Sequence, residues 1–153
     1  MPQFETKRRV RFTPDQMFAL VADVERYPEF LPLCEALRVR SRKEGEEETV
    51  LVAEMTVGFK AIRETFTTQV HLRRRERMIE ARYLDGPFRY LTSRWRFDEV
   101  PEGGATDVCF FVDYEFRSRM LGLVMGAMFD RAFRMFSEAF EKRAAAVYAL
   151  APA

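Results

Sequence analysis

Histidine, tryptophan and cysteine are nearly missing from this chain. Its 153 residues include one histidine (His71), one tryptophan (Trp95) and two cysteines, Cys34 and Cys109. The two cysteines have no metal-ligand spacing and suggest no disulfide framework. His71 falls on the outer, polar face of its strand by alternation, whereas a general base belongs in a cleft. A glycine-rich phosphate loop, a nucleophile-elbow serine and a metal-ligand cluster are all absent from the sequence, so the common hydrolase and nucleotide-binding chemistries have no carrier. No apolar run approaches the ~20 residues of a membrane-spanning helix. Met1-Pro2-Gln3-Phe4-Glu5 has no apolar signal core, which makes a reducing, cytoplasmic address the expectation. Neither sign of charge dominates, with 25 Lys+Arg against 24 Asp+Glu. A global pull toward nucleic acid or anionic lipid is thereby excluded, though local clustering is not.

What the chain does have is phenylalanine and methionine, 15 and 8 respectively. Such bulky and pliable side chains build a core, and they also suit a cavity that adapts to a flexible apolar ligand. The length fits one domain, residues 1–153, large enough to bury its own core. The organising stretch is Ser118 to Ala149. Leu121, Val124, Met125, Met128, Phe129, Ala132, Phe133, Phe136 and Phe140 recur there in steps of three and four, with Asp130, Arg131, Arg134, Glu138, Glu141 and Lys142 opposite. One C-terminal helix, about 45 Å long, is predicted.

Phe4 to Phe12 alternates as a first strand. Thr13, Pro14 and Gln16 read as N-cap, first helical residue and capping box, and Met17, Phe18, Leu20, Val21 and Val24 then form a short amphipathic helix. Tyr27-Pro28-Glu29-Phe30-Leu31-Pro32 allows at most a further turn, and an apolar loop stiffened by proline must pack on something or touch a ligand. From Ala36 the period becomes two. Inward-facing sets are Leu51 to Phe59, Phe66 to Leu72, Ile79 to Tyr83, Leu91 to Phe97 and Val108 to Phe116. Polar turns at Lys43–Glu48, Asp85-Gly86-Pro87 and Pro101–Gly104 separate the strands. The pattern is an α+β fold: an antiparallel sheet curled round a long helix, with two short helices after the first strand. The natural pocket lies between sheet and helix.

Candidates for chemistry are few. Glu64 shares the parity of Phe66 and is the one decent inward acid; Thr68, Tyr83 and Ser93 point inward and either bond a ligand carbonyl or satisfy one another. Arg73, Arg74, Arg75 and Arg77 cluster, and Arg82, Arg89, Arg94 and Arg96 fall on the outer face. These arginines form either a salt-bridged solvated face or a surface for RNA or membrane phosphates. No aromatic residue is interleaved with them as a base-stacking platform needs.

Three segments carry a resemblance: Tyr27-Pro28-Glu29-Phe30-Leu31-Pro32-Leu33-Cys34, then Phe59-Lys60-Ala61-Ile62-Arg63-Glu64-Thr65-Phe66-Thr67-Thr68, then Gly86-Pro87-Phe88 with Leu91, Trp95 and Phe97. In this order they resemble the coenzyme Q-binding protein family, a branch of the START-like, polyketide-cyclase-like helix-grip proteins whose bacterial members include ribosome-association toxins. The resemblance implies a seven-stranded antiparallel sheet round the C-terminal helix, enclosing an apolar tunnel. It also implies non-enzymatic binding of ubiquinone or a polyprenylated precursor, in support of quinone biosynthesis or respiratory electron transport. The quinone is then a ligand and not a redox cofactor, and no metal or catalytic residue is expected. Parity, helical phase and the resemblance together nominate Tyr27, Phe30, Leu31, Pro32, Met55, Phe59, Phe66, Tyr83, Trp95, Met125, Phe129 and Phe133 as ligand-binding. The Tyr27–Pro32 loop and the apolar turns Met120–Phe129 form the expected tunnel lip and peripheral membrane contact, on the inner face of the membrane. Two rivals stand beside this reading. One is a toxin that binds the large ribosomal subunit and blocks subunit joining; the other is a cyclase or aromatase relying on Glu64.

Overall fold

Residues 3–59 and 61–148 are described by the computed structural model. The alternating segments form seven strands: β1 (Gln3–Val10), β2 (Cys34–Glu44), β3 (Glu48–Phe59), β4 (Ile62–Arg73), β5 (Met78–Asp85), β6 (Phe88–Glu99) and β7 (Thr106–Phe116). Helix α1 (Pro14–Ala22) and a 3-10 helix (Val24–Glu29) follow β1, and α2 (Arg119–Tyr148) ends the described chain. β2 to β7 form a meander, and β1 adds to the free side of β7, giving the order β1-β7-β6-β5-β4-β3-β2. Every pairing is antiparallel. Register shifts interrupt the β2–β3, β4–β5 and β6–β7 ladders, and irregularities of this kind bend a strand locally.

The boundaries follow local chemistry. α1 starts where expected: the Gln16 N–H donates to Thr13 Oγ1 at 3.1 Å and the Thr13 N–H to Gln16 Oε1 at 2.9 Å. β1 ends at Val10, two residues before the expected Phe12, whose ring turns in to meet Tyr148 at 6.0 Å. Ser118 caps α2, its Oγ accepting the Leu121 N–H at 3.2 Å; Ala149, the expected end of the helix, lies outside the described residues. At the β5–β6 turn Gly86 has φ +143°, and a Cβ there would stand 2.5 Å from that of Phe66. The Gly-Pro-Phe motif therefore has a steric reason, because no other residue lets the turn close over Phe66.

α2 lies in the concavity. Phe129 meets Phe116 at 5.3 Å, Phe133 meets Tyr114 at 5.3 Å, Phe136 meets Phe110 at 6.0 Å and Phe140 meets Trp95 at 5.1 Å. These four contacts run the helix along β6 and β7 and fix its phase. The segment Tyr27–Pro32 is not a free loop. The Tyr27 hydroxyl donates to the Val21 carbonyl, and Tyr27 and Phe30 sit edge-on to Phe140 at 5.3 and 5.2 Å. Arg143 stacks over Phe30 at 5.0 Å and bonds Glu29 at 2.7 Å.

This docking overturns the expected lip. The Tyr27–Pro32 segment covers the far part of α2, about 25 Å along the axis from Leu123 at 1.5 Å per residue. It does not cover the apolar first turns, where Met120, Leu123 and Val124 are 74 %, 79 % and 53 % exposed. No backbone approaches the glycines of those turns closely. Gly126 has nothing within 4 Å of a Cβ position, and Gly122 has the Phe116 side chain at 3.7 Å. Both residues lower helix stability without a packing gain. Gly126→Ala is therefore expected to raise the unfolding free energy by up to about 1 kcal/mol, measured as a higher urea midpoint. An unchanged or lower midpoint would mean the site tolerates no side chain.

Candidate ligand-binding cavity

A void remains where the sheet curls away from α2. Small side chains in the middle of the sheet create it: Ala53 on β3, Thr68 on β4, Ala81 on β5 and Ser93 on β6. Phe129, Phe133, Phe136 and Phe140 form the roof, Val24, Tyr27 and Leu31 close one side, and Phe66 stands at the other. The cavity volume is about 110 Å³. An apolar cavity of about 150 Å³ takes up benzene, so this one has room for part of a ring or a short branched chain. The resemblance implied a tunnel, and the open space is much smaller than one that would house a polyprenyl tail.

The lining is almost entirely apolar. Its hydroxyl-bearing side chains are Tyr27, Thr68 and Ser93. Tyr27 spends its hydroxyl proton on the Val21 carbonyl, and burial pushes its phenol far above the ordinary range. Thr68 and Ser93 have no side-chain hydrogen bond among the described residues, so their hydroxyls are free to bond a guest. Of the two alternatives open in the sequence, mutual satisfaction is not found, since Thr68 and Ser93 do not bond one another. Tyr83 is different, because its hydroxyl already accepts the Phe88 N–H at 3.1 Å.

Of the nominated residues, Tyr27, Leu31, Met55, Phe66, Trp95, Phe129 and Phe133 border the cavity and five do not. Phe30 and Pro32 line a separate outer groove with Met135 and Arg143, because the 3-10 turn aims Tyr27 and Leu31 inward and its neighbours outward. Phe59 is 43 % exposed at the β3–β4 tip, beyond the reach of the helix. Tyr83 packs edge-on to Phe88 at 5.7 Å, at the last paired position before the β4–β5 register shift, and is not part of the cavity wall. Met125 is fully buried but does not reach the void. The cavity stops short of these last two because Phe88, Phe116 and Phe129 pack together there. Phe110, Phe136, Phe140 and Ala81 also border the cavity. Their parity was visible in the sequence, but the small residue that opens the space was not distinguishable from ordinary packing.

Acid–base chemistry finds no carrier in the lining. Glu64 is half-buried opposite Val57 near the strand tip and does not reach the cavity. His71 lies on the outer face, with Nδ1 2.7 Å from Glu48 and Nε2 3.1 Å from Gln69. That hydrogen bond is the main reason the Glu48 carboxyl is held below its usual range, with Arg73 adding to it. Burial pushes the Cys34 thiol up to about 11, too high for a thiolate at neutral pH.

On the outer face many arginines are paired: Arg73 with Glu48 and Glu80, Arg75 with Glu47, Arg77 with Asp15, Arg89 with Glu115 and Arg96 with Asp98. Arg82 and Arg94 have no ion pair among the described residues. The expectation that no aromatic residue accompanies the arginines fails across strands: Phe111 of β7 is paired in register with Arg94 of β6, whose guanidinium lies 5.5 Å from the ring centre. Reading along one strand at a time missed it.

Phe133 serves core and cavity together, being 7 % exposed and packed on Tyr114, Phe129 and Phe136. Phe133→Ala is expected to cost about 3–5 kcal/mol in urea unfolding. A loss below about 1 kcal/mol would mean the ring borders open space more than it supports the core.

Comparison with known proteins agrees with this geometry. The family model described as "Polyketide cyclase / dehydrase and lipid transport" matches residues 10–141. A Vibrio cholerae protein named ribosome association toxin RatA is 36 % identical over 148 residues, covering 97 % of this chain and 99 % of the relative. Coenzyme Q-binding protein COQ10 homolog B of Xenopus laevis, a mitochondrial protein, is 31 % identical over 150 residues, covering 95 % of this chain and 59 % of the relative. The solution structure of the 18 kDa protein CC1736 from Caulobacter crescentus superposes with a TM-score of 0.78 at 36 % identity, covering 97 % of this chain and 99 % of that one. With a seven-stranded sheet gripping its last helix and a family match over most of its length, the chain belongs to the polyketide cyclase/dehydrase and lipid transport family.

Proposed function

We infer that this protein binds an apolar ligand in the sheet–helix cavity without transforming it, and that the ligand is a polyprenyl quinone such as ubiquinone or a precursor. The observation that carries the reading is the lining: an aromatic and aliphatic wall with two free hydroxyls, Thr68 and Ser93, and no carboxylate, imidazole or amine among the described lining residues. A substituted quinone offers apolar surface to the rings and carbonyl oxygens to the hydroxyls. The quinone is a bound ligand here and not a redox cofactor. Each buried methylene contributes about 0.8 kcal/mol, so a few isoprene units give useful affinity with no charged anchor. The cavity admits part of the ring or one end of the tail. Half-buried Leu37, Met55 and Phe136 must shift for more of the tail to enter.

Organic extraction of the purified protein followed by mass spectrometry tests the identity: a quinone is expected, and protein that extracts clean and takes up no added ubiquinone overturns the reading. Thr68→Val together with Ser93→Ala is expected to weaken quinone binding about tenfold, roughly the effect of two neutral hydrogen bonds, while uptake of a plain isoprenoid hydrocarbon is unchanged. Equal loss for both ligands would assign the hydroxyls a role in packing.

Such a ligand has to leave a bilayer. Among the described residues no helix is long and apolar enough to cross a membrane. The exposed Met120, Leu123 and Val124 at the start of α2 are the membrane contact in this reading, without the Tyr27–Pro32 segment. Arg117 and Arg119 flank them, exposed and without acidic partners among the described residues, and suit an anionic lipid surface. Leu123→Glu is expected to abolish flotation with phosphatidylglycerol liposomes while leaving the melting temperature unchanged. Undiminished flotation removes this contact from the proposal.

A second reading, association with the large ribosomal subunit, is favoured by the similarity to proteins named ribosome association toxin and by the unpaired outer arginines. It uses the opposite face of the sheet, so the two readings do not compete for residues. An aromatase or cyclase activity has only the family's description in its favour.

A further inference from the structure

The outer face of the sheet holds a shallow groove of about 400 Å³ across β1, β7 and β6. Its floor is Phe111, half-buried on β7 between Glu5 of β1 and Arg94 of β6. Every other outward β7 residue from Asp107 to Glu115 is an acid or a cysteine, so this ring is the one apolar island in the row. Arg94 leans over it at 5.5 Å and has no ion pair among the described residues. Lys7 and Arg96 flank the groove, 3.8 Å from Asp107 and 3.0 Å from Asp98 respectively, and Glu5 is the acid that lines it. Arg82, likewise unpaired among the described residues, stands diagonally across the ladder from Arg94, since it pairs with Thr92 while Arg94 pairs with Glu80.

We propose that this groove is a docking site for unpaired RNA, with Phe111 stacking one splayed base, Arg94 covering its other side and Lys7, Arg96 and Arg82 holding the adjoining phosphates. The proposal rests on the ribosome-association reading and names the surface that reading requires. A π face set among cations on a rigid sheet is the arrangement that captures single-stranded RNA: stacking is tolerant of sequence, and the cations follow the backbone. The ring is half-buried in an open groove, where an unstacked flat base can lie on it. Duplex RNA is a poor fit for the same reason, because its bases are already stacked.

The test uses the full chain and two probes, a fluorescein-labelled single-stranded RNA of about 12 nucleotides, within the span such platforms cover, and salt-washed bacterial large ribosomal subunits in sedimentation. Phe111→Ala is expected to weaken oligonucleotide binding about tenfold with little change in salt dependence. Arg94→Ser should weaken it as well, again with little change in the slope of log affinity against log salt, because Arg94 covers the base and not a phosphate. Arg94→Lys should keep the slope and lose part of the affinity, because an ammonium supplies charge without a stacking plane. Melting temperature and uptake of added ubiquinone should be unchanged in all three variants, which separates docking from folding and from the cavity. If the native chain binds both probes and the variants bind them equally well, the groove assignment is overturned and the ribosome reading stands. If the native chain binds neither probe, that reading falls and the groove with it. If the variants lose flotation with phosphatidylglycerol liposomes and keep RNA binding, the face is a membrane contact and the proposal is wrong.

Discussion

Everything in this molecule depends on the seating of four phenylalanines of α2 against the aromatic rows of β6 and β7. Phe129, Phe133, Phe136 and Phe140 meet Phe116, Tyr114, Phe110 and Trp95 at ring-centre distances of 5.1–6.0 Å. Rings are too large and too stiff to follow a curved sheet closely. Where the facing strands offer rings of their own the interface closes, as at Phe88 and Phe116; where they offer Ala53, Thr68, Ala81 and Ser93 it stays open. Core and candidate site are thus one interface with two degrees of filling, and the same residues contribute to stability and to ligand contact.

The strand and helix pattern could be read almost in full from sequence because both signals are periodic. Period-two alternation identifies the six consecutive strands, the capping box at Thr13 starts α1, and the phenylalanine spacing sets the phase of α2. The site was less legible. Parity gives the side of the sheet but not how far along a strand the cavity extends, so Phe59 and Tyr83 were nominated with Met55 and Phe66 although they lie beyond its ends. Bulges shift the phase locally, as at Thr67 and Thr68, and a 3-10 turn sends adjacent loop residues to different surfaces. The cross-strand neighbours Phe111 and Arg94 belong to different segments, and their contact depends on register, which alternation alone does not supply.

Relatives named for coenzyme Q binding and for ribosome association share this fold with the present chain at similar identity. The architecture accommodates both because a sheet with one buried and one solvated face presents two chemically independent surfaces. Inward residues are apolar and constrained by packing against α2, while the outward residues of the same strands carry the arginines and the Phe111 groove. A change at an outward position leaves the cavity lining untouched, so either surface can be altered by substitution without disturbing the other.

The placement of β1 beside β7 leaves β1 and β2 as the two edges of the sheet. Both are rich in cations: Lys7, Arg8 and Arg9 on one, Arg38, Arg40, Arg42 and Lys43 on the other. Open edges invite another strand, and lysine and arginine are among the means by which proteins discourage that addition. Two copies meeting edge to edge would bring like charges together in any of the three combinations, β1 with β1, β1 with β2 or β2 with β2. Self-association by continuing the sheet is thereby opposed, even though the fold never closes into a barrel.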